Sequence, residues 1–206
     1  MHYACNFDNN STELECADAA LYGNATKVLS HVVLAEPTTN RGSLQLDLSH
    51  QDGYRDVYAV SVVADMRFDD AASVGAFGVG NGIAATPIDP CDVGEAGVSS
   101  CVDMRVTPNE QVIATPTIDA TIPLADLSPL ANTWQPYRLD VNYILRTMTV
   151  SLGALTERSI NFDTDPFDPT VAIGSRITLS AFSPGSVGTF SLRSLNVSID
   201  YGVRSP

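Results

Sequence analysis

Lysine and tryptophan each occur once in 206 residues, as Lys27 and Trp134, and aromatic residues make up only 7% of the chain. Basic residues are scarce altogether: 11 against 24 acidic ones, a formal charge of −13, with the arginines scattered and no basic run. A surface of that sign repels phosphate backbones and anionic headgroups, which excludes nucleic acid and anionic membranes as partners. No apolar run approaches the roughly 20 residues that a membrane-spanning helix needs, so no membrane insertion is expected. The start, Met1-His2-Tyr3-Ala4-Cys5, lacks the charged-then-apolar order of a signal peptide. The sequence therefore reads as either a mature secreted chain or a cytoplasmic one, and the cysteines favour the first.

The four cysteines fall into two locally spaced couples, Cys5/Cys16 and Cys91/Cys101, with no C-x-x-C spacing and no histidine beside either couple. Zinc and thioredoxin-like chemistry are thereby disfavoured. Of the three possible connectivities, the local one is expected, Cys5–Cys16 and Cys91–Cys101. Each bridge would close a loop worth on the order of 2–3 kcal/mol in the chain-entropy model. Disulfides of this kind point to an oxidising, extracellular setting. Catalytic signatures are missing as well. His2, His31 and His50 are isolated, and no G-x-S-x-G or H-E-x-x-H motif occurs.

What the chain has in quantity is alternation of apolar and polar residues, the mark of strands that bury one face. Leu44, Leu46 and Leu48 alternate with polar neighbours, as do Val102, Met104 and Val106. Leu139, Val141 and Tyr143 are followed by Met148, Val150 and Leu152 in the same rhythm. The segment from Asp56 to Phe68 reads as the longest strand. Tyr58, Val60, Val62, Ala64, Met66 and Phe68 share one of its faces, and its other face is apolar for half the length, which predicts a central position. Lys27 to Leu34 reads as one apolar run, and Trp134 as a core residue at the head of a strand. In the last strand Phe190 and Leu192 are in phase, whereas Leu195, Val197 and Ile199 are offset by one, which predicts a β-bulge at Arg193–Ser194. About a dozen short strands with no long helix predict an all-β fold, a two-sheet antiparallel β-sandwich, as one domain over residues 1–206. The first and last strands are expected to be neighbours.

The tail, from Asn132-Thr133-Trp134 through Arg138–Tyr143, Thr147–Leu152, Ile173-Gly174, Ser180-Ala181-Phe182 and Ser191–Ile199, resembles the end of a concanavalin A-like lectin or laminin-G-like jelly roll. The resemblance covers about a third of the chain. It implies two packed antiparallel sheets and a background of glycan binding, adhesion or polysaccharide cleavage. The family 16 glycoside hydrolases of that superfamily carry E-x-D-x-x-E on a strand, placing two carboxylates for a retaining mechanism. Here glutamate occurs only at positions 13, 15, 36, 95, 110 and 157, and no such stretch exists. No enzymatic activity is therefore expected.

Three carboxylates in a proline-rich loop, Asp163, Asp165 and Asp168, suit Ca²⁺, a hard cation that takes six to eight oxygens. A solvated acidic turn is the plainer reading of the same residues. A second acidic cluster, Asp89, Asp92, Glu95 and Asp103, surrounds the Cys91/Cys101 couple. Among aromatic residues that could serve a sugar as a platform, Tyr54 and Phe167 are the most loop-like, with Tyr58 and Phe77 also in view. N-x-S/T sequons at Asn9, Asn10, Asn24 and Asn196 mark N-glycosylation acceptors in a secreted eukaryotic chain. The leading expectation is a non-catalytic extracellular lectin-like domain that binds glycans or cell-surface polysaccharide in adhesion, assisted by Ca²⁺. The alternatives are a self-assembling structural subunit of a filament, surface layer or capsid, and a polysaccharide-cleaving enzyme.

Overall fold

The computed structural model describes residues 1–36, 42–48, 55–69, 75–80, 101–106, 112–117, 120–124, 132–145, 147–153, 155–161, 176–181 and 188–203. In chain order the strands are β1 (His2–Asn6), β2 (Ala19–Tyr22), β3 (Ala25–Lys27), β4 (Val32–Glu36), β5 (Ser43–Asp47), β6 (Arg55–Phe68), β7 (Gly75–Gly80) and β8 (Cys101–Val106). They continue as β9 (Val112–Thr117), β10 (Ala120–Leu124), β11 (Gln135–Asn142), β12 (Thr147–Leu152), β13 (Leu155–Asn161), β14 (Arg176–Ala181) and β15 (Gly188–Val203). Among the described residues there is no helix, so none is long and apolar enough to cross a membrane. All pairings are antiparallel.

Two sheets result. One has the order β13-β12-β11-β6-β15-β4-β3, with β1 also paired to β15. The other has the order β10-β9-β8-β7-β14-β5-β2. β6 takes the central place expected of it, between β11 and β15, and its buried Val60, Val62, Ala64, Met66 and Phe68 supply the apolar face. β15 runs the length of one edge of β6 and offers its own other edge to two partners, β4 along residues 188–192 and β1 along 194–198. The first and last strands are thus neighbours, as expected. The predicted bulge lies where the partner changes: the register slips between Leu192 and Ser194, and Phe7 N donates to Arg193 O at 2.9 Å. The slip keeps Phe190 and Leu192 on one side of it, and Leu195, Val197 and Ile199 on the other, all buried in the same core.

That core collects alternate residues of the first sheet and Leu44, Leu46 and Leu48 from the β5 segment of the second. Phe68 packs against Tyr137 and Phe190, with both pairs of ring centroids 5.7 Å apart. Tyr137 is fully buried, and no described group lies in hydrogen-bonding reach of its Oη. Burial holds the phenol in its neutral form and raises its pKa. A buried hydroxyl without a partner forfeits its bonds to water on folding. Tyr137→Phe is expected to raise stability by about 1 kcal/mol, seen as a higher urea midpoint at unchanged slope; a lower midpoint would mean that the hydroxyl is bonded.

Several expectations need correction. β15, with 16 residues, is longer than β6, with 14. The apolar run 27–34 is divided between β3 and β4 by a turn in which Val28 N donates to His31 O at 2.9 Å. β2 and β13 are strands that alternation did not pick out. Tyr58 does not share the face of Val60. A second register slip, between Asp200 and Tyr201, leaves Tyr58 unpaired between Val57 and Ala59, so Val57 is buried and Tyr58 is exposed.

The N-terminal segment is held by the predicted Cys5–Cys16 disulfide, whose Cα atoms are 5.7 Å apart. The single lysine closes the same region from beneath. Lys27 is 6% exposed, and its Nζ donates to the carbonyls of Ser11, at 2.6 Å, and Val28. Burial lowers its pKa, while Glu15 and Asp8 oppose the shift.

Candidate functional site

Most of the residues singled out in the sequence, namely Asp163, Asp165, Asp168, Asp89, Asp92, Glu95, Tyr54, Phe167 and Cys91, lie outside the described residues. Cys101 and Asp103 are placed by backbone alone, in β8 opposite Gly80 and Gly78 of β7. Among the described residues no three His, Cys, Asp or Glu side chains gather as a metal site. The sequon asparagines are unequally placed. Asn10 is exposed, with a left-handed backbone (φ 55°), whereas Asn9, Asn24 and Asn196 are half-buried. The Asn9 amide is also engaged, its Nδ2 donating to Glu15 at 3.0 Å.

Trp134 is not in the core. It is half-buried just before β11, with the guanidinium carbons of Arg67 and Arg193 at 4.9 and 4.8 Å from its ring and His31 meeting its ring edge-on at 5.9 Å. The arginines are paired in turn. Arg67 Nε donates to Asp69 Oδ1 at 2.7 Å, Arg193 donates to Asp65 Oδ2 from Nε at 2.9 Å and Nη2 at 2.5 Å, and Ser191 Oγ donates to Asp69 Oδ2 at 2.9 Å. Burial and then the Arg67 charge lower the His31 pKa, against the pull of Asp69, so the imidazole is favoured neutral. With its ring held by two cations, Trp134 acts as a clamp between β6, β15 and the entry to β11. It is not an open platform. The bulge at Arg193 is what brings that side chain within reach of both Asp65 and Trp134.

The outer face of the first sheet offers a different surface, a groove of about 340 Å³ across β12, β11, β6 and β15. Register builds it in two rows. Thr149, Asp140, Ser61 and Ser198 stand opposite one another along one row, and Thr147, Asn142, Ala59 and Asp200 along the next. With strands about 4.8 Å apart, each row spans roughly 14 Å. The short side chains of Ala59 and Ser61 on β6 lie between the longer Asp140 and Asn142 of β11 and Asp200 of β15. Arg138 lies at one end and is paired with Asp140, Nε to Oδ2 at 2.7 Å. His2 of β1 extends the first row, with Nδ1 3.1 Å from Ser198 Oγ. The lining thus combines the apolar surface of Ala59, Val60 and Val141 with hydroxyls, an amide, two carboxylates and one guanidinium that is already paired. Such a surface exchanges hydrogen bonds with a polyhydroxylated ligand and repels an anionic one. Sequence reasoning missed it because the residues come from four strands spread over more than 140 positions, and each looks like an ordinary solvent-facing residue.

No family model and no curated protein sequence matches the chain. Solved structures do match. A chain titled "Sialidase" superposes with a TM-score of 0.67 over 96% of this chain at 8% identity, and this chain spans only 18% of its length. Peanut lectin in complex with a nine-residue peptide gives a TM-score of 0.64 at 15% identity over 99% of this chain and 100% of the lectin. The potassium-bound carbohydrate recognition domain of Emp46p gives 0.62 at 15% identity over 93% and 96%. The fold is that of the concanavalin A-like lectins, a jelly roll of two antiparallel sheets. At these identities the likeness is one of architecture.

Proposed function

We propose that this protein is a non-catalytic, extracellular lectin-like domain that binds glycans of a cell surface or polysaccharide in adhesion. The observation that carries the reading is the outer-face groove, whose lining matches the donors and acceptors of sugar hydroxyls and is set on a lectin fold. The Cys5–Cys16 disulfide supports an oxidising compartment. A metal belongs to the same reading: a structural neighbour carries potassium, and Asp163, Asp165 and Asp168 provide oxygen donors for Ca²⁺. A glycan array probed with and without calcium tests the whole. Binding to a restricted set of sugars is expected, with a higher melting temperature in calcium than in chelator. Failure to retain any sugar in either condition overturns the glycan reading, and identical melting temperatures remove the metal from it.

A further inference from the structure

Tyr58 occupies a position that the rules of a strand do not explain. Strict alternation along β6 would put it in the core with Val60 and Val62. Instead the extra residue at this point turns its side chain outward, and Tyr143 N donates to the freed Tyr58 carbonyl at 2.9 Å. Bulges of this kind re-aim a side chain beside functional surfaces. The ring then lies on Gly202 of β15. A Cβ added at Gly202 would stand 1.7 Å from Tyr58 Cζ, 2.1 Å from Cε2 and 2.2 Å from Oη. Two near-equal distances that both exceed the distance to Cζ place that position over the face of the ring, not at its edge. Gly202 has no left-handed backbone to require glycine. Its lack of a side chain is explained by the ring that rests on it, a close approach of the kind that places glycine inside a strand.

One face of Tyr58 is therefore seated on the sheet. The residue nonetheless keeps 37% of its surface exposed, and the face seated on Gly202 cannot supply that exposure. The neighbours of this pair are the end of the groove: Ala59 follows Tyr58 on β6, and Asp200 lies two residues before Gly202 on β15, both in the row that continues to Asn142. A flat, immobilised ring thus adjoins a trough of hydrogen-bonding groups. From this juxtaposition we infer that the open face of Tyr58 is a stacking subsite for a pyranose ring of a neutral glycan chain whose next units lie in the groove. The axial C–H face of the sugar packs on the phenol ring while its hydroxyls bond to Asp200 and Asn142. Two carboxylates against one paired guanidinium select against uronic and sialic acids. The inference rests on the glycan-binding reading above and assigns it a place and a charge class.

The test is isothermal titration of the full chain with neutral hexasaccharides (β-1,3- and β-1,4-glucan, α-1,4-glucan, β-1,4-mannan and β-1,4-xylan) and with an oligogalacturonate. At least one neutral hexamer is expected to bind and the oligogalacturonate to bind weakly or not at all. Tyr58→Ala is expected to weaken the neutral hexamer about tenfold, and Tyr58→Trp to retain it. Gly202→Ala, which keeps the tyrosine but lifts its ring, is expected to weaken it similarly. Ring-proton shifts of Tyr58 in the unmodified protein, followed by NMR during the same titration, do not depend on how the variants fold. Binding with unshifted Tyr58 resonances, unchanged affinity in both variants, or preference for the acidic oligomer overturns the subsite and leaves glycan binding standing. Absence of binding to these oligomers and to every glycan on the array removes both.

Discussion

Phe68→Ala lowers the unfolding free energy by about 3–5 kcal/mol, the usual range for deleting a buried phenyl ring. Phe68 is 3% exposed at the end of β6, opposite Phe190 in the β6–β15 ladder. Its ring meets Tyr137 of β11 at an interplanar angle of 65° and Phe190 at 30°, so one deletion removes two aromatic contacts as well as the buried area. The cavity would lie between three neighbouring strands whose ladders limit how far they can close on it. For a chain of this size the melting temperature is expected to fall by on the order of 10 °C. The double variant with Phe190→Ala should cost less than the sum of the single ones, because they share one contact. A loss below about 1 kcal/mol for Phe68→Ala, as expected of an exposed position, would show that this aromatic cluster is not part of the core.

The second large effect belongs to Cys5 and Cys16. Replacing both by alanine is expected to cost on the order of 2–3 kcal/mol, since the bridge restrains a short loop in the unfolded chain. In the folded protein the consequence should be local. β1 retains its pairing with β15, and Lys27 still donates to the Ser11 carbonyl. Hydrogen exchange should therefore quicken over residues 8–18 while β6 and β15 stay protected. Reducing agent added to the wild type should reproduce the shift of the denaturation midpoint. If neither the variant nor reduction moves the midpoint, the bridge contributes nothing to stability.

Both effects involve features that were readable in the sequence to different degrees. The Cys5–Cys16 pairing was the local choice among three connectivities that four cysteines leave open, and the structure has it. The bulge at Arg193 followed from a phase change in Phe190, Leu192 and Leu195, because a buried face tolerates no net slip. The slip at Tyr58 was invisible to the same method. Tyrosine is as acceptable in a core as on a surface, so its position in phase with Val60 carried no warning, and only the partner strand reveals that β6 has one residue too many there. Trp134 misled for a related reason: a large aromatic at the head of a strand looks like core until Arg67 and Arg193, far apart in sequence, are found against its ring.

The amino-acid sequence by itself determined the all-β class, the antiparallel sandwich and the neighbouring terminal strands. These depend on local periodicity, which is a property of the chain read in order. Tertiary structure alone decided which outward residues form a surface. Thr149, Asp140, Ser61 and Ser198 become one row only through the registers of three ladders, and Tyr58 becomes a platform only because Gly202 lies beneath it. The physical reason is that solvent-facing positions satisfy their hydrogen bonds with water wherever they stand. Their chemistry leaves no periodic mark in the sequence until pairing brings them side by side.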